Sequence, residues 1–416
     1  MSSDIINAGA IGIVTEYNPF HNGHLRQIEL VKSHFPECPV ICVMSGNFVQ
    51  RGEPAVWNKF ARARAALICG ADMIIELPVP FATASAEYFS YHAVKLLDSL
   101  GIVSHICFGS ETGDLEPLSK AADLLISESP DFKAYLKARL NEGHSFPFAR
   151  HMTIEHFAPE STEILNMPNN ILGIEYIKAL KKLESDINPF VIKREGEGYH
   201  SSDYTKELSS ATAIRSALRA GHKELAGIPR KLAPLYDEYI NSMGFHELDN
   251  LSLILQYIVK TRPPEYLASI LDVDEGMHNS IIEICGAHKR ISDILTQLKS
   301  KRYTYTRLSR ALLHIILDIT KEDFSEFCTD FPHYIRVLGF RKEWECLFSQ
   351  IEANTDIPIV TNLKNHINSL SPAGYKLLQK EIAATDIYNL SGAGVFSKNT
   401  EFSESIVVVS KLDVKG

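Results

Sequence analysis

The first half of the chain alternates short apolar runs with longer stretches in which apolar side chains recur every three to four positions. The apolar runs predict strands over 10–17 (AIGIVTEY), 39–46 (PVICVMSG), 72–78 (DMIIELP), 105–110 (HICFGS) and 189–194 (PFVIKR). The amphipathic stretches predict helices over 24–34, 58–69, 86–99, 117–127, 131–141 and 171–184. Strand, helix, strand in series specifies an α/β fold: a doubly wound parallel sheet with right-handed crossovers. Such sheets bind ligands beyond the carboxyl ends of their strands. EYNPFHNGH, SGNFVQRGEP, ELP and FGSE all fall at those ends.

From about residue 245 the texture changes to long apolar helical patterns, LSLILQYIVK and LSRALLHIILDIT among them, with few β-branched runs between. The expectation is a catalytic domain over 1–240 followed by a mainly α-helical domain over 241–416, with a soft boundary in 225–250. The tail GVFSKNTEFSESIVVVSKL is expected to add one strand or to stay partly loose. With 416 residues, 45% of them apolar, the chain can build more than one core. No apolar run approaches the ~18 residues of a membrane span, and the N-terminus lacks the basic-then-apolar order of a signal peptide. A cytoplasmic address follows as the expectation.

A formal net charge of -9 does not suit general binding to polyanions, so any nucleic-acid surface must be local. The seven cysteines, Cys38, Cys42, Cys69, Cys107, Cys285, Cys328 and Cys346, are scattered, and five lie in strongly apolar surroundings; they read as reduced core thiols. Cys38 and Cys42 have no second pair to complete a zinc set. His144, Glu155, His151 and His156 share no single-face ligand spacing and read as a surface loop, so no metal site is expected.

Pro19-Phe20-His21-Asn22-Gly23-His24 leaves the first strand and opens a helix. Backbone N–H groups and the positive end of a helix dipole suit phosphate oxygens there, Gly23 permits close approach, and two imidazoles three apart can both donate. Two loop histidines taken alone are more often solvated polar residues. In this setting the pattern resembles the HxGH signature of the nucleotidyltransferase and class I aminoacyl-tRNA synthetase superfamily, which implies a Rossmann-like fold and ATP held by its phosphates and adenosine. The nucleotide stretch is then Val14, Thr15, Glu16, Tyr17, Asn18, Pro19, Phe20, His21, Asn22, Gly23, His24 and Leu25. The superfamily's second motif, a serine-rich turn before a basic helix, is matched by Ser209, Ser210 and Arg215 in SSATAIR, which otherwise reads as an ordinary capped helix over 211–220. Gly109 at the end of HICFGS, Asn170 at the start of a helix and Arg194 closing PFVIKR fit the same pocket. Asn170 is read equally well as a helix cap, and Arg194 as a solvated base.

Lys299, Lys301, Arg302, Tyr303, Tyr305, Arg307 and Arg310 mix phosphate donors with stackable rings, either as an RNA surface or as a solvated helix face. On the helix expected over 306–318, Arg307, Arg310 and His314 share one face and Leu308, Leu312, Ile315 and Ile316 the other. His333, Arg336, Arg341 and Lys342 form a second basic group.

EYNPFHNGHL, VMSGNFVQRGEPA, IIELP with FATASAE, FGSE, PNNILGIEYIKAL and KRYTYTRLSRALLHIIL closely resemble the bacterial tRNA(Met) cytidine acetate ligase family over about residues 10–345. That resemblance implies activation of free acetate by ATP as acetyl-adenylate, and acetylation of the wobble cytidine of elongator tRNA(Met). By position, His21 and His24 are expected on the α-phosphate and departing pyrophosphate and Arg215 with Ser209 and Ser210 on the distal phosphates; with the resemblance, Mg2+ carried by the phosphates and RNA at the basic-aromatic helix are expected as well. Ser45-Gly46-Asn47-Phe48 and Glu76-Leu77-Pro78 either neighbour the acetate pocket or only shape strand ends. The rivals are a small-molecule nucleotidyltransferase of the same superfamily and a tRNA-binding protein without activity.

Overall fold

In the computed structural model the apolar runs form strands β1 (Ala10–Thr15), β2 (Val40–Ser45), β3 (Phe48–Val49), β4 (Glu53–Pro54), β5 (Met73–Leu77), β6 (Val103–Ser110), β7 (Asn188–Lys193), β8 (Ile335–Arg341), β9 (Ile359–Val360) and β10 (Val407–Val409). The structure describes residues 9–159, 162, 164, 167–194, 207–222, 225–274, 276–300, 302–392, 400–411 and 413. The five strands expected in the first half pair in parallel in the order β5-β2-β1-β6-β7, with helices crossing between them. Alternation of period two sends Val40, Cys42 and Met44 into one core and Ile41 and Val43 into the other, so β2 is buried on both faces.

The expected helices are present: Asn22–His34, Lys59–Ile68, Ala86–Asp98, Leu115–Ile126, Pro130–Asn141, Pro168–Leu183 and Ala211–Arg219. An unexpected helix, Phe146–Phe157, occupies the segment read as a surface loop around His151 and His156. Its apolar side chains surround it, with Ala149 and Ile154 buried but Phe146 and Phe148 exposed, so the sequence shows no clean stripe of helical period.

In the second half, Ser252–Thr261, Met277–Ala287, Ile291–Leu298 and Tyr305–Leu317 pack a third core around Leu255, Ile281, Leu295 and Leu312. This core also takes in Phe48 and Val79 from the strand-end loops. The chain then returns to the sheet: β8 runs antiparallel to β5, and β10 lies parallel beside β8. Here the structure differs from a division at about residue 240, because the last part of the chain extends the first part's sheet. The difference hid in Arg336 and Arg341, whose charges suggested surface. Arg336 is buried with its guanidinium 3.7 Å from Glu401, and Arg341 pairs with Glu343 at 3.2 Å while its backbone N–H donates to Asp72. Of the second basic group, Arg336 and Arg341 therefore lie in the strand, the first buried and the second partly so, while Lys342 is exposed just beyond it.

The described cysteines are all free thiols, five of them buried. No helix among the described residues is long and apolar enough to cross a membrane.

Candidate active site

A cavity of about 1020 Å³ opens at the carboxyl ends of β1, β6 and β7. His21 is the N-cap of helix Asn22–His34: its Nδ1 accepts from Gly23 N–H at 3.0 Å, while His24 Nδ1 accepts from His21 N–H at 3.3 Å. The two rings stack with centroids 3.7 Å apart and 24° between planes, and Tyr17 and Phe20 support His24 at 4.8 and 5.5 Å. A Cβ on Gly23 would stand 2.9 Å from the His21 ring, so the glycine of the motif makes room for the first histidine. Burial, then the charges of Arg194 and Arg215, pull the His21 pKa down to about 3. Loss of hydration, then His21 and Arg194, hold His24 well below its usual value. Both rings are neutral, and with each Nδ1 spent as an acceptor, each Nε2 carries the proton and is a donor.

Asn22 faces away from the cavity. Its Nδ2 donates to Glu207 O (2.8 Å) and Ala226 O (3.0 Å), and its N–H donates to Gly227 O (2.8 Å), which ties the first motif to the second. Ser210 caps helix Ala211–Arg219 through Ala213 N–H. From that helix Arg215 donates to Asn18 O at 2.7 Å and sits 3.3 Å from Glu53, so a distal arginine is laid across the first loop.

Of the nucleotide residues expected from sequence, Val14, Thr15, Glu16, Tyr17, Asn18, His21, Gly23, His24, Gly109, Arg194, Ser209, Ser210 and Arg215 line the cavity. Pro19, Phe20, Asn22, Leu25 and Asn170 do not. Asn170 is fully buried and is not the cap, since Met167 holds that position; its Oδ1 accepts from Glu111 N–H, and its Nδ2 lies buried without a partner. Glu111 returns the contact by accepting from the N–H groups of Asn169 and Asn170, a carboxylate at the positive end of helix Pro168–Leu183. At Gly109 a side chain would meet the stem of Arg194 at 2.9 Å.

From the basic helix, Arg302, Arg307 and Arg310 also line the cavity, whereas Lys299, Tyr303 and Tyr305 do not, and Lys301 lies outside the described residues. The arginine face points inward. Arg310 is buried and 3.0 Å from Asp272, Arg307 is 2.7 Å from Asp274, and His314 is fully buried against Thr83 and Leu271. Arg302 and Arg307 each lie 5.4 Å from the Tyr303 ring. A Cβ on Gly52 would approach Arg310 N to 2.5 Å, and Ser309 donates to Gly52 O, so this helix is seated on the β3–β4 hairpin.

Sequence reasoning missed Gln50, Arg51, Glu53, Glu111, Phe146, Arg150, His151 and Glu175, all in the wall. SGNFVQRGEP and FGSE contain the first four, so their place at strand ends was a usable signal; helix Phe146–Phe157 offered none. Neither Ser45-Gly46-Asn47-Phe48 nor Glu76-Leu77-Pro78 reaches the cavity. Glu76 binds Lys59 at 2.7 Å, and Asn47 Nδ2 donates to Thr385 at 3.0 Å, which leaves them the role of shaping strand ends.

The model of the HIGH Nucleotidyl Transferase family matches residues 9–401. The tRNA(Met) cytidine acetate ligase of Caldanaerobacter subterraneus subsp. tengcongensis is 41% identical over 410 residues, covering 96% of this chain and 99% of that protein. This chain belongs to the tRNA(Met) cytidine acetate ligase family. The family member from Acetivibrio thermocellus is 37% identical with coverage of 96% and 99%. Among solved structures, Thermotoga maritima TmcAL in its apo form has a TM-score of 0.91 at 31% identity, over 97% of this chain and all of that one. The same protein bound with alpha-thio ATP scores 0.89.

Proposed function

We propose that this protein binds ATP at the His21–His24 pair, activates acetate as acetyl-adenylate, and acetylates N4 of the wobble cytidine of elongator tRNA(Met). The observation that carries this reading is the pair of neutral imidazoles, each presenting Nε2–H to one cavity while its other nitrogen holds the helix start. Acetate oxygen attacks the α-phosphorus, the bond to pyrophosphate breaks, and negative charge grows on the non-bridging and leaving oxygens. Fixed donors that need no reorganisation stabilise that charge, and no protein nucleophile is required. Arg215, released from Glu53, with Ser209 and Ser210 would take the distal phosphates, and Arg194 would lie along the adenosine. Among the described residues there is no cluster of three or more metal-ligating side chains, so Mg2+ would be carried by ATP oxygens, as suits an ion that keeps its waters.

A volume of about 1020 Å³ stands at the upper limit of small-molecule sites, about 300–1,000 Å³. That supports simultaneous occupation by a nucleotide and an extruded nucleobase. The strand-end loops of the sheet would carry activation and the helices between Ser252 and Leu317 the RNA contact, with Arg302, Arg307 and Arg310 on the phosphates and the exposed Tyr305 available for stacking. A cytoplasmic address agrees with seven free thiols. The test is transfer of radiolabelled acetate to total tRNA with ATP and Mg2+, followed by nuclease digestion. Label in acetylcytidine is the expected result. Consumption of ATP without label in tRNA would overturn the substrate, and pyrophosphate exchange with a panel of carboxylic acids would then identify another acid.

A further inference from the structure

We infer that Glu16 is the base that takes the proton from the cytidine amine as it attacks acetyl-adenylate, an assignment that rests on the function just proposed. In that step N4 forms a bond to the acetyl carbonyl carbon, the carbon–oxygen bond to AMP breaks with its electron pair leaving on the phosphate, and one N4 proton must go elsewhere. The two motif histidines cannot receive it. Each Nδ1 already accepts a backbone N–H, and each Nε2 already holds a proton.

The carboxylates of the cavity separate cleanly. Glu53 is 3.3 Å from Arg215, Glu87 is 3.0 Å from Lys182, Glu175 is shared by Arg150 and Lys178, and Asp272 is 3.0 Å from Arg310. Glu111 is spent on the start of helix Pro168–Leu183. Glu16 alone among the described cavity carboxylates has neither an ion pair within 4 Å nor a helix to cap. Its Oε1 accepts Gln50 N–H at 2.8 Å, which fixes the side chain, and among the described residues no donor reaches Oε2.

Its position suits the task. Glu16 directly follows the first strand, five residues before His21, and Arg62 donates to its backbone carbonyl. The loop it bonds, between β3 and β4, is the loop on which the arginine helix sits through Gly52. Glu16 therefore lines the same cavity as Arg307 and Arg310 and is tied to the hairpin that carries their helix. The groups that face it are Arg51 and Glu53 from the hairpin, Arg215 from helix Ala211–Arg219, Tyr176 from helix Pro168–Leu183 and Arg62 from helix Lys59–Ile68. Desolvation outweighs the nearby arginines and raises the Glu16 pKa, which brings its basicity closer to the operating pH.

The experiment separates the half-reactions in the full-length enzyme. Acetate-dependent ATP–pyrophosphate exchange reads activation, and single-turnover transfer from preformed acetyl-adenylate to tRNA reads acyl transfer across pH. Wild-type transfer is expected to climb with pH to a plateau as the carboxylate ionises. Glu16→Gln should lower the plateau by about 10²–10⁴-fold and abolish the climb, with a much smaller loss of exchange; Glu16→Asp should restore part of the rate and the climb. Equal loss of exchange and transfer would overturn the assignment and make Glu16 a residue of the activation site. Retained transfer with the same climb would also overturn it, as would loss of the climb in His151→Gln, a cavity histidine whose Nδ1 is buried without a hydrogen bond. Absence of exchange in the wild type would instead sink the proposed function.

Discussion

At the ends of β1, β6 and β7 the sheet opens onto the cavity, whereas at the ends of β2 and β5 it is sealed by the C-terminal part of the chain. The open end holds polar groups that satisfy one another and still leave donors pointing into space, as the stacked histidines do. The sealed end holds charges that are spent almost entirely on one another, with only Arg336 Nε in the cluster left without a hydrogen bond. Lys59 lies between Glu76 and Glu401, both in contact with its Nζ; Thr385 donates to Glu401; Glu381 accepts from Val79 N–H; and Arg336 stands behind Glu401. Burial opposes the Lys59 ammonium, yet Glu401, Glu76 and Glu381 outweigh it and keep the lysine charged. The same topology thus supplies a ligand site where donors face open space and a clamp where the charges face one another.

The largest expected effect comes from breaking the clamp. Lys59→Met leaves three buried carboxylates facing one arginine and should destabilise the protein by about 3–5 kcal/mol in denaturant unfolding. Exchange activity per folded molecule at low temperature should persist, because nothing in the clamp lines the cavity. A folded Lys59→Met protein without exchange would show the two ends to be coupled.

The contrast also explains what the sequence could disclose. HxGH with its flanking strand, and SSATAIR with its helix, are each built from neighbours in the chain, so periodicity and motif chemistry locate them together. The clamp draws Lys59, Glu76, Arg336, Glu381 and Glu401 from five separate segments, and none of them alone discloses the others. For the same reason β8 was invisible as a sheet strand: its arginines have their partners far along the chain. The inward turn of Arg307 and Arg310 was likewise illegible, because Asp272 and Asp274 come from another loop.

At the open end, His24→Ala should reduce acetate-dependent exchange by about 10²–10³-fold, equivalent to about 2.7–4 kcal/mol of transition-state stabilisation. The accompanying loss of a reciprocal cap should cost only about 1 kcal/mol of stability. Near wild-type exchange would remove the histidine pair from the chemistry.

A smaller effect tests whether the histidines are held neutral. The folded His21 binds a proton only near pH 3, while in the unfolded chain it binds one near its ordinary value of 6.5. Its lowered pKa therefore favours folding above pH 6.5, and that contribution is lost as pH falls through the window from 6.5 toward 3. Between pH 6.5 and 5.5 the loss from this residue is about 1 kcal/mol, and each further unit toward pH 4 costs close to about 1.4 kcal/mol. Since His92 and His246 are also lowered, both to about 4, the measurement is the difference in unfolding free energy between wild type and His21→Asn, whose side chain can still cap. A difference independent of pH would mean that His21 charges in the folded state.

The smallest effect concerns the far wall, where the open end meets the basic helix. Arg307 is half-buried, held by Asp274 and laid on Tyr303, so a phosphate that reaches it must compete with a carboxylate already present. This competition limits the gain from one arginine, and Arg307→Ala should weaken tRNA binding by about tenfold or less. The sharper readout is salt dependence. A lost phosphate contact should reduce the slope of log affinity against log salt by about 0.7–0.9, equally for tRNA(Met) and for unrelated tRNA, because backbone contacts carry no sequence information. An unchanged slope would return Arg307 to a purely structural partnership with Asp274. A change confined to tRNA(Met) would make it a reader of bases, and the inward turn of its helix would then be the means by which the open end recognises its RNA.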